Sequence, residues 1–547
     1  MTRLRAYLSR FLPGPRDYAG LGRSWRRDLL AGLTVGIVAL PLALGFGISS
    51  GAGAAAGLVT AIVAGVVAAV FGGSNVQVSG PTGAMVVVLA PIVAAHGVTA
   101  VAAVSLLAGA IVLVAGFLRL GRAVSVIPWP VIEGFTFGIA IIIFLQQVPL
   151  LTSPESRGAA HAHVVIEAAQ ALLSAEPTYL LWSFGAVALV ALAMLLLPRL
   201  HRAIPGSLVG IVVVTVLALI LPTPLSAIGS IPSTLPTPMF PALDLATLSA
   251  LALPALTVAA LAAIESLLSA RVAAGLADTG AYDPDRELVG QGLASIAAGL
   301  FGGMPATGAI ARTAVNVRSG AATRLAAIVH SLVLLLVVLA VAGPVGSIPL
   351  AALAGVLMVT AVRMVHLATI RSILRSTRAD AVAFVLTAVV TVSVDLIVAV
   401  VIGMVVAGVF ALRGLARATG VSREPIAGEP HPGDDRIAII RLDGPLFFAA
   451  ADRVLDAVTG LDGVEVVVLR MSQLELVDAT GAHVLSEIVR RLEARGVTVL
   501  IKGVREGHTE LFRAVGVLDA LRHHRHLFDD LPSAIAHARS HVARAAS

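Results

Sequence analysis

Between residues 29 and 412, apolar residues run in stretches too long and too uniform for a soluble core. Fourteen can be marked: 29–48, 52–71, 82–96, 98–118, 126–147, 178–197, 206–222, 249–271, 287–303, 307–318, 323–343, 349–364, 379–394 and 396–412. Most lack the polar stripe of a surface helix, and many approach the roughly 20 residues a helix needs to cross a hydrocarbon core. The pattern predicts an all-α polytopic membrane domain over 29–412, preceded by a short segment, 1–28. After Leu412 the pattern changes. Residues 413–435 read as a polar connector containing Pro425, Gly428, Pro430, Pro432 and Gly433. From 436 to 547 short β-rich runs alternate with helical ones. Strands are predicted at Arg436–Leu442, Val464–Leu469 and Val497–Ile501. Helices are predicted near Ala450–Thr459, Thr480–Ala494, Thr509–Val515 and Pro532–Ala543. That is the signature of a small soluble α/β domain.

Two interruptions of the apolar pattern are near-copies. Gly80-Pro81-Thr82-Gly83-Ala84-Met85 and Met304-Pro305-Ala306-Thr307-Gly308-Ala309-Ile310 each place a Gly/Pro break ahead of a fresh apolar run. Each reads as a helix that starts partway through the bilayer, and such a pair in matching positions of two repeats points to a transporter's substrate site. Seven spans per repeat is an odd number, so the second set enters the membrane from the opposite side. Thr82 then begins a half-helix pointing outward and Thr307 one pointing inward. Helix N-termini carry unpaired N–H groups and partial positive charge. Two of them meeting at the midplane would hold an anion largely by main chain, with the Thr82 and Thr307 hydroxyls as caps or donors. Gly80, Gly83 and Gly308 would let the ligand approach the backbone.

Charge adds topology. The formal net charge is +6, but the arginines cluster in alternate loops: Arg23, Arg26 and Arg27 before the first span, Arg119 and Arg122 after the fourth, Arg199 and Arg202 after the sixth. Arg271 and Arg286, Arg318 and Arg324, then Arg363, Arg371, Arg375 and Arg378, and finally Arg413 and Arg417 continue the series. All fall on one side of a fourteen-span count, which places both termini in the cytoplasm. The basic balance is therefore a topology signal and no nucleic-acid partner is expected. The chain has no cysteine, which excludes disulfides, thiolate zinc sites and thiol redox chemistry. The first 28 residues have polar and proline breaks and do not read as a cleaved signal peptide. No G-x-x-x-x-G-K-[ST] loop for ATP hydrolysis is present, nor a constellation for covalent catalysis. The expectation is a transporter, not an enzyme, with no cofactor and no resident metal.

Among intramembrane ionisable groups Glu265 stands out. A carboxylate within a span is expensive and usually functional, often as a proton carrier; the competing reading is a structural partner for Arg271 or Arg312. Arg312, one turn into the second half-helix, either adds positive potential beside the anion or ends at the cytoplasmic exit. His330 reads as a hydrogen-bonded packing residue and Asp395 as a cap of the last hairpin. His523-His524-Arg525-His526 reads as solvated surface, since no regular ligand spacing accompanies it.

Specific motifs carry a resemblance. Ala31-Gly32-Leu33-Thr34-Val35-Gly36-Ile37-Val38-Ala39-Leu40-Pro41, Val78-Ser79-Gly80-Pro81-Thr82-Gly83 and Arg312-Thr313-Ala314-Val315-Asn316 resemble, in order and spacing, the SulP anion transporters (solute carrier family 26). Phe447-Phe448-Ala449-Ala450-Ala451 and Val477-Asp478-Ala479-Thr480-Gly481 resemble a STAS domain. The resemblance implies a seven-plus-seven inverted repeat with core and gate subdomains, elevator-like movement, a homodimer in a cell inner (plasma) membrane, and anions such as sulfate, bicarbonate, chloride or dicarboxylates as substrates. It implies an anion site at Phe46 of the first span, Thr82 and Gly83 of the third, Glu265 and Ser269 of the eighth, and Gly308 and Ala309 of the tenth.

Two departures shape the expected activity. Sodium-coupled bacterial members have Asp where Glu265 stands and a hydroxyl residue in place of Ile310, and losing that oxygen weakens a sodium site. Proton-coupled uptake of sulfate or bicarbonate through Glu265 and Ser269 is thus the preferred expectation. Sodium-coupled bicarbonate or proton-coupled C4-dicarboxylate symport are the alternatives, and a membrane anion sensor signalling through STAS is a third. A nucleobase carrier of the same architecture would lack the STAS tail. In STAS itself the residue phosphorylated in soluble relatives is Ala479; Thr480 is expected to cap the following helix with Asp478.

Overall fold

The computed structural model describes residues 7, 9–122, 127–153, 164–200, 204–241, 244–276, 280, 282–394 and 396–545. Arg202 and Asp395, singled out above, lie outside the described residues. The chain divides into two compact units, Met1–Met404 and Val405–Ser547.

The apolar stretches of the first unit are helices: Leu21–Ser49, Ala54–Phe71, Gly83–His96, Ala100–Phe117, Trp129–Gln146, Pro177–Leu200 and Gly206–Ile220, then Leu245–Leu276, Pro284–Leu300, Ile310–Arg318, Leu325–Gly346, Leu350–Met364, Arg378–Ser393 and Leu396–Ala418. They are spans 1 to 14 below. Among the described residues nine helical segments are long and apolar enough to cross a membrane by length and composition alone; spans 3, 7, 9, 10 and 13 are shorter. Span 9 starts sharply because Asp283 Oδ1 accepts from the Asp285 and Arg286 N–H groups while Pro284 holds the first helical position. Two helices lie where no span was expected, Val164–Leu173 and Leu367–Ser376. Arg371 and Arg375 belong to the second of these rather than to an irregular loop.

Packing carries the repeat. Span 1 lies against span 11 and span 8 against span 4; span 4 against span 9 and span 11 against span 2; span 5 against span 13 and span 12 against span 6. Adding or subtracting seven converts each pair into its partner pair. Small residues make these seams close. Cβ atoms at Gly32 and Gly36 would run into Val329 and Val333 of span 11, and at Gly134 and Gly138 into Phe384 and Thr391 of span 13. Both are the small-xxx-small spacing that lets helix backbones approach in lipid.

The second unit is a five-stranded sheet in the order Gly420–Glu424, Ile437–Leu446, Val466–Val477, Thr498–Lys502, Leu527–Phe528, with the first pair antiparallel and the rest parallel. Alternate residues serve the two faces. Ala438, Ile440, Val467, Leu469, Val499 and Ile501 pack under helices Ala451–Thr459, Ala479–Ala494 and Glu506–Ala514. Ile437, Ile439, Val466, Val468 and Leu500 meet Ala534, Ala538 and Val542 of the terminal helix Leu531–Ala545. Both faces are covered, as parallel strands require. The residues read as a connector are more structured than their composition suggested. Span 14 continues to Ala418, and Gly420–Glu424 is an edge strand paired to residues 439–443. Glu424 holds it, receiving Arg441 at 3.1 Å and Arg470 at 2.8 Å.

Candidate functional site

The two sequence breaks meet. Ser79 pairs with Gly308 and Gly80 with Thr307 in a two-residue antiparallel bridge, and the Ala309 N–H donates to the Val78 carbonyl at 2.8 Å. The half-helices leave this bridge at Gly83 and at Ile310. The expectation that Thr307 opens the second half-helix is corrected: Thr307 is held in the bridge, and Ala309 occupies the cap position. Thr82 is the cap residue of the first, yet its side chain does not cap. Neither half-helix start receives a side-chain cap, so no side chain satisfies the leading N–H groups.

Glu265 of span 8 reaches this point. Its Oε2 accepts from the Thr82 hydroxyl at 2.7 Å and the Thr307 hydroxyl at 2.9 Å, and Thr307 Oγ1 lies 3.0 Å from Thr82 Oγ1. The threonines are buried and Glu265 is half-buried. No ion pair joins Glu265 to Arg271 or Arg312 among the described residues, so a carboxylate and the two break hydroxyls form the cluster. Three hard oxygens in mutual contact, beside two open helix starts, can exchange a proton or, in principle of donor type, face a small cation.

Arg312 settles away from any exit. It is 2% exposed, and its guanidinium donates to the Pro81 carbonyl of the other break. Its Nη1 lies in the space a Cβ on Gly80 would occupy and is buried without a hydrogen-bond partner. The residues that follow it on the same helix face also read the first break. Thr313 Oγ1 accepts from the Val78 N–H at 3.0 Å and Asn316 Nδ2 donates to the Val76 carbonyl at 2.8 Å. This explains the Arg-Thr-x-x-Asn pattern: one helix face satisfies the main chain leading into the other half-helix.

The glycines make room for neighbouring side chains. Cβ atoms would collide with Arg312 at Gly80, with Ile143 at Gly83 and with Gln77 at Gly308. They admit protein side chains. Phe46 does lie at the first half-helix start, with its ring edge 3.4 Å from where a Gly83 Cβ would stand. Ser269 is not with Glu265. It is buried one turn further along span 8, its hydroxyl 3.2 Å from Thr313 Oγ1. The serine that touches the break is Ser266, whose Oγ accepts the Gly308 N–H at 3.0 Å. His330 is buried against Ser331, 3.3 Å from its hydroxyl.

Several supporting residues carried no signal in the sequence. Buried Glu287 accepts from the Gly73 and Ser74 N–H groups at 2.8 and 3.0 Å and from Gln291, whose amide also donates to Ser79 Oγ at 2.6 Å. Thr60 sits in a π-helical turn of span 2, Thr60–Ala64, and accepts from the Met304 N–H at 2.8 Å. Ser331 donates to the Ala61 carbonyl within that same turn, the kind of irregularity found at functional sites. Duplicated acidic or hydroxyl motifs would have found them; none exists.

In the second unit Asp478 caps its helix alone, accepting from the Gly481 N–H at 2.7 Å. Thr480 lies exposed inside the first turn and does not cap. In the histidine run His523, His524 and Arg525 are exposed as expected, and only His526 is corrected: it is 5% exposed and faces His537 and His541.

Comparison with known proteins agrees with this architecture. The profile of the sulfate permease family matches residues 25–387 and that of the STAS domain residues 431–534. YvdB of Bacillus subtilis (strain 168), named as a candidate sulfate transporter, is 34% identical over 93% of this chain and 96% of its own. The bicarbonate transporter BicA of Synechocystis sp. (strain PCC 6803) is 30% identical over 88% of each chain. The solved transmembrane domain of a cyanobacterial BicA superposes with a TM-score of 0.61 at 30% identity, covering 71% of this chain and 98% of that one. The murine solute carrier 26 family member A9 anion transporter, in the inward-facing state, gives a TM-score of 0.80 at 17% identity over 94% and 91% of the two chains, which speaks to fold alone. These are transporters and not enzymes. The chain, a helical membrane unit followed by a STAS unit, belongs to the sulfate permease family.

Proposed function

We propose that this multi-pass membrane anion transporter takes up sulfate or bicarbonate by proton symport, with Glu265 as the proton carrier. The observation that carries the reading is the placement of Glu265 Oε2 on both break hydroxyls, Thr82 and Thr307, between two uncapped half-helix starts. An ionised carboxylate there already occupies the positive field of the helix ends and repels a second anion. Protonation removes that charge and frees the field, so anion and proton bind together and leave together. Phe46, Gly83, Gly308 and Ala309 border the anion, and Arg312 supplies fixed positive charge.

In this reading spans 1–4 and 8–11 form a core that carries the site past a gate of spans 5–7 and 12–14 in an elevator-like movement. The chain works as a homodimer in the inner (plasma) membrane. The arginine distribution supports cytoplasmic termini, with 29–412 as the transport domain and 436–547 as the STAS domain.

Labelled sulfate and bicarbonate uptake into proteoliposomes tests it, with chloride, fumarate and succinate as competitors. Acid outside should drive accumulation, and Glu265→Gln should abolish the pH-driven part while keeping exchange. Uptake indifferent to the pH gradient but lost on sodium removal would overturn proton coupling. That second reading has one observation in its favour, the convergence of three oxygens from Glu265, Thr82 and Thr307, which are donors of the type sodium accepts.

A further inference from the structure

We infer that the STAS unit carries a divalent transition-metal site, of zinc type, built from His526, His537 and His541. Each of these histidines offers one ring nitrogen to a group whose members all lie within 4.8 Å of one another. His537 and His541 stand four residues apart on the terminal helix Leu531–Ala545, the spacing that puts two imidazoles on one helix face. Their Nε2 atoms are 3.2 Å apart. Two nitrogens bound at about 2.0–2.1 Å to a tetrahedral zinc ion stand about 3.3 Å from each other, so the pair is already at ligand spacing. A simple N–H···N hydrogen bond between the two rings would produce the same distance.

The third histidine separates the two explanations. His526 comes from a different element, the single 3-10 turn His524–His526 that leads into the edge strand Leu527–Phe528. Its ring is buried, with centroids 5.6 Å from His537 and 5.4 Å from His541. Its Nδ1 has no hydrogen-bond partner. A hydrogen-bonded pair has no use for a third imidazole, and a buried polar nitrogen without a partner is costly. A metal ion uses all three. His523 stands apart from the set, because its Nδ1 accepts the Arg525 N–H at 3.1 Å. Three imidazoles favour zinc, nickel or copper over magnesium or calcium. They leave a fourth position for water, and the ion would tie the terminal helix to the last strand of the sheet.

The test uses the full chain, purified in detergent with a tag free of histidine and stripped with chelator. Cobalt(II) reports coordination by its visible absorption, and zinc is counted by elemental analysis after desalting. The wild type should retain one equivalent of zinc per chain and give the intense tetrahedral cobalt spectrum. His541→Gln and His526→Gln should each lose both signals, and His524→Gln, on the same run but outside the set, should keep them. Because His526→Gln and His541→Gln alter separate elements, unfolding of one leaves the other to decide. A wild type that retains no zinc, or a His526→Gln variant that binds as the wild type does, overturns the site.

Discussion

Arg312 and Pro81 lie 231 residues apart, and the guanidinium of the one donates to the main-chain carbonyl of the other. The second half-helix thereby fixes the start of the first, and the buried charge stands beside both breaks. Arg312→Lys keeps a charge but loses the planar fork, and Arg312→Gln loses both. A hydrogen bond involving a charged group contributes about 1.5–3 kcal/mol, so Arg312→Lys should weaken apparent anion affinity by about tenfold to a hundredfold. Arg312→Gln should lose more. The concentration dependence of uptake reads both.

Thr82 and Thr307 share one acceptor, Oε2 of Glu265. Thr82→Val and Thr307→Val should each slow uptake by about tenfold, and Thr82→Ser should restore most of it. Because the two hydroxyls also touch each other, the double variant should be less impaired than the product of the singles. Strict additivity in initial rates would show that the triangle does not act as a unit.

Gly308 has no room for a methyl group because Gln77 fills the space. Gly308→Ala should destabilise the membrane unit by about 1–3 kcal/mol through overpacking, and Gln77→Ala added to it should recover much of the loss. Gly275, which faces open space, is the control: Gly275→Ala should leave thermal stability in detergent unchanged or slightly raised.

Much of this core was legible because the chain states it twice. The Gly-Pro-Thr-Gly and Pro-Ala-Thr-Gly breaks announced both half-helices, and Glu265 announced itself by being charged inside an apolar run. The start of the second half-helix was not legible. Thr307 looks like Thr82 in sequence, but the antiparallel bridge claims Thr307 and Gly308, and the helix waits until Ile310. Ser266 and Ser269 differ by less than one turn, and only packing decides that Ser266 meets the break. Strand Gly420–Glu424 was hidden because its sequence, Gly-Val-Ser-Arg-Glu, has no alternation, its place being set by the partner strand and by Arg441 and Arg470. The histidine cluster was half visible: His537 and His541 carry the i, i+4 spacing, but His526 joins them only through the fold.

The terminal helix of the STAS unit is also held by Asp434, which takes two hydrogen bonds of 2.8 Å from Arg539. The Arg539 hydrogen bonds, helped by the His431 N–H, hold the Asp434 carboxyl down to about 2. The folded value lies below the ordinary one of about 3.9. The stabilisation is therefore present above pH 4 or so and is lost as pH falls toward 2. Asp434→Asn should melt earlier than the wild type at neutral pH, and the gap should close in acid. Thermal melts of the separately expressed STAS segment at pH 7 and at about pH 2 measure it.

Ile310 offers a test of the two couplings. It is the first residue of the second half-helix, two residues beyond the bridge whose Thr307 touches Glu265, and it is a hydrocarbon where the sodium-coupled members that the chain resembles have a hydroxyl. Sodium wants several hard oxygens around it, and Glu265, Thr82 and Thr307 supply three that are already hydrogen-bonded to one another. Ile310→Ser restores the hydroxyl of the sodium-coupled pattern one helix start away from those three. If protons drive the wild type, its uptake should be insensitive to replacing sodium by choline, whereas Ile310→Ser should gain a sodium stimulation of several-fold and lose part of its dependence on the pH gradient. A wild type already stimulated by sodium would mean that the three oxygens suffice, and Glu265 would then act as a cation ligand.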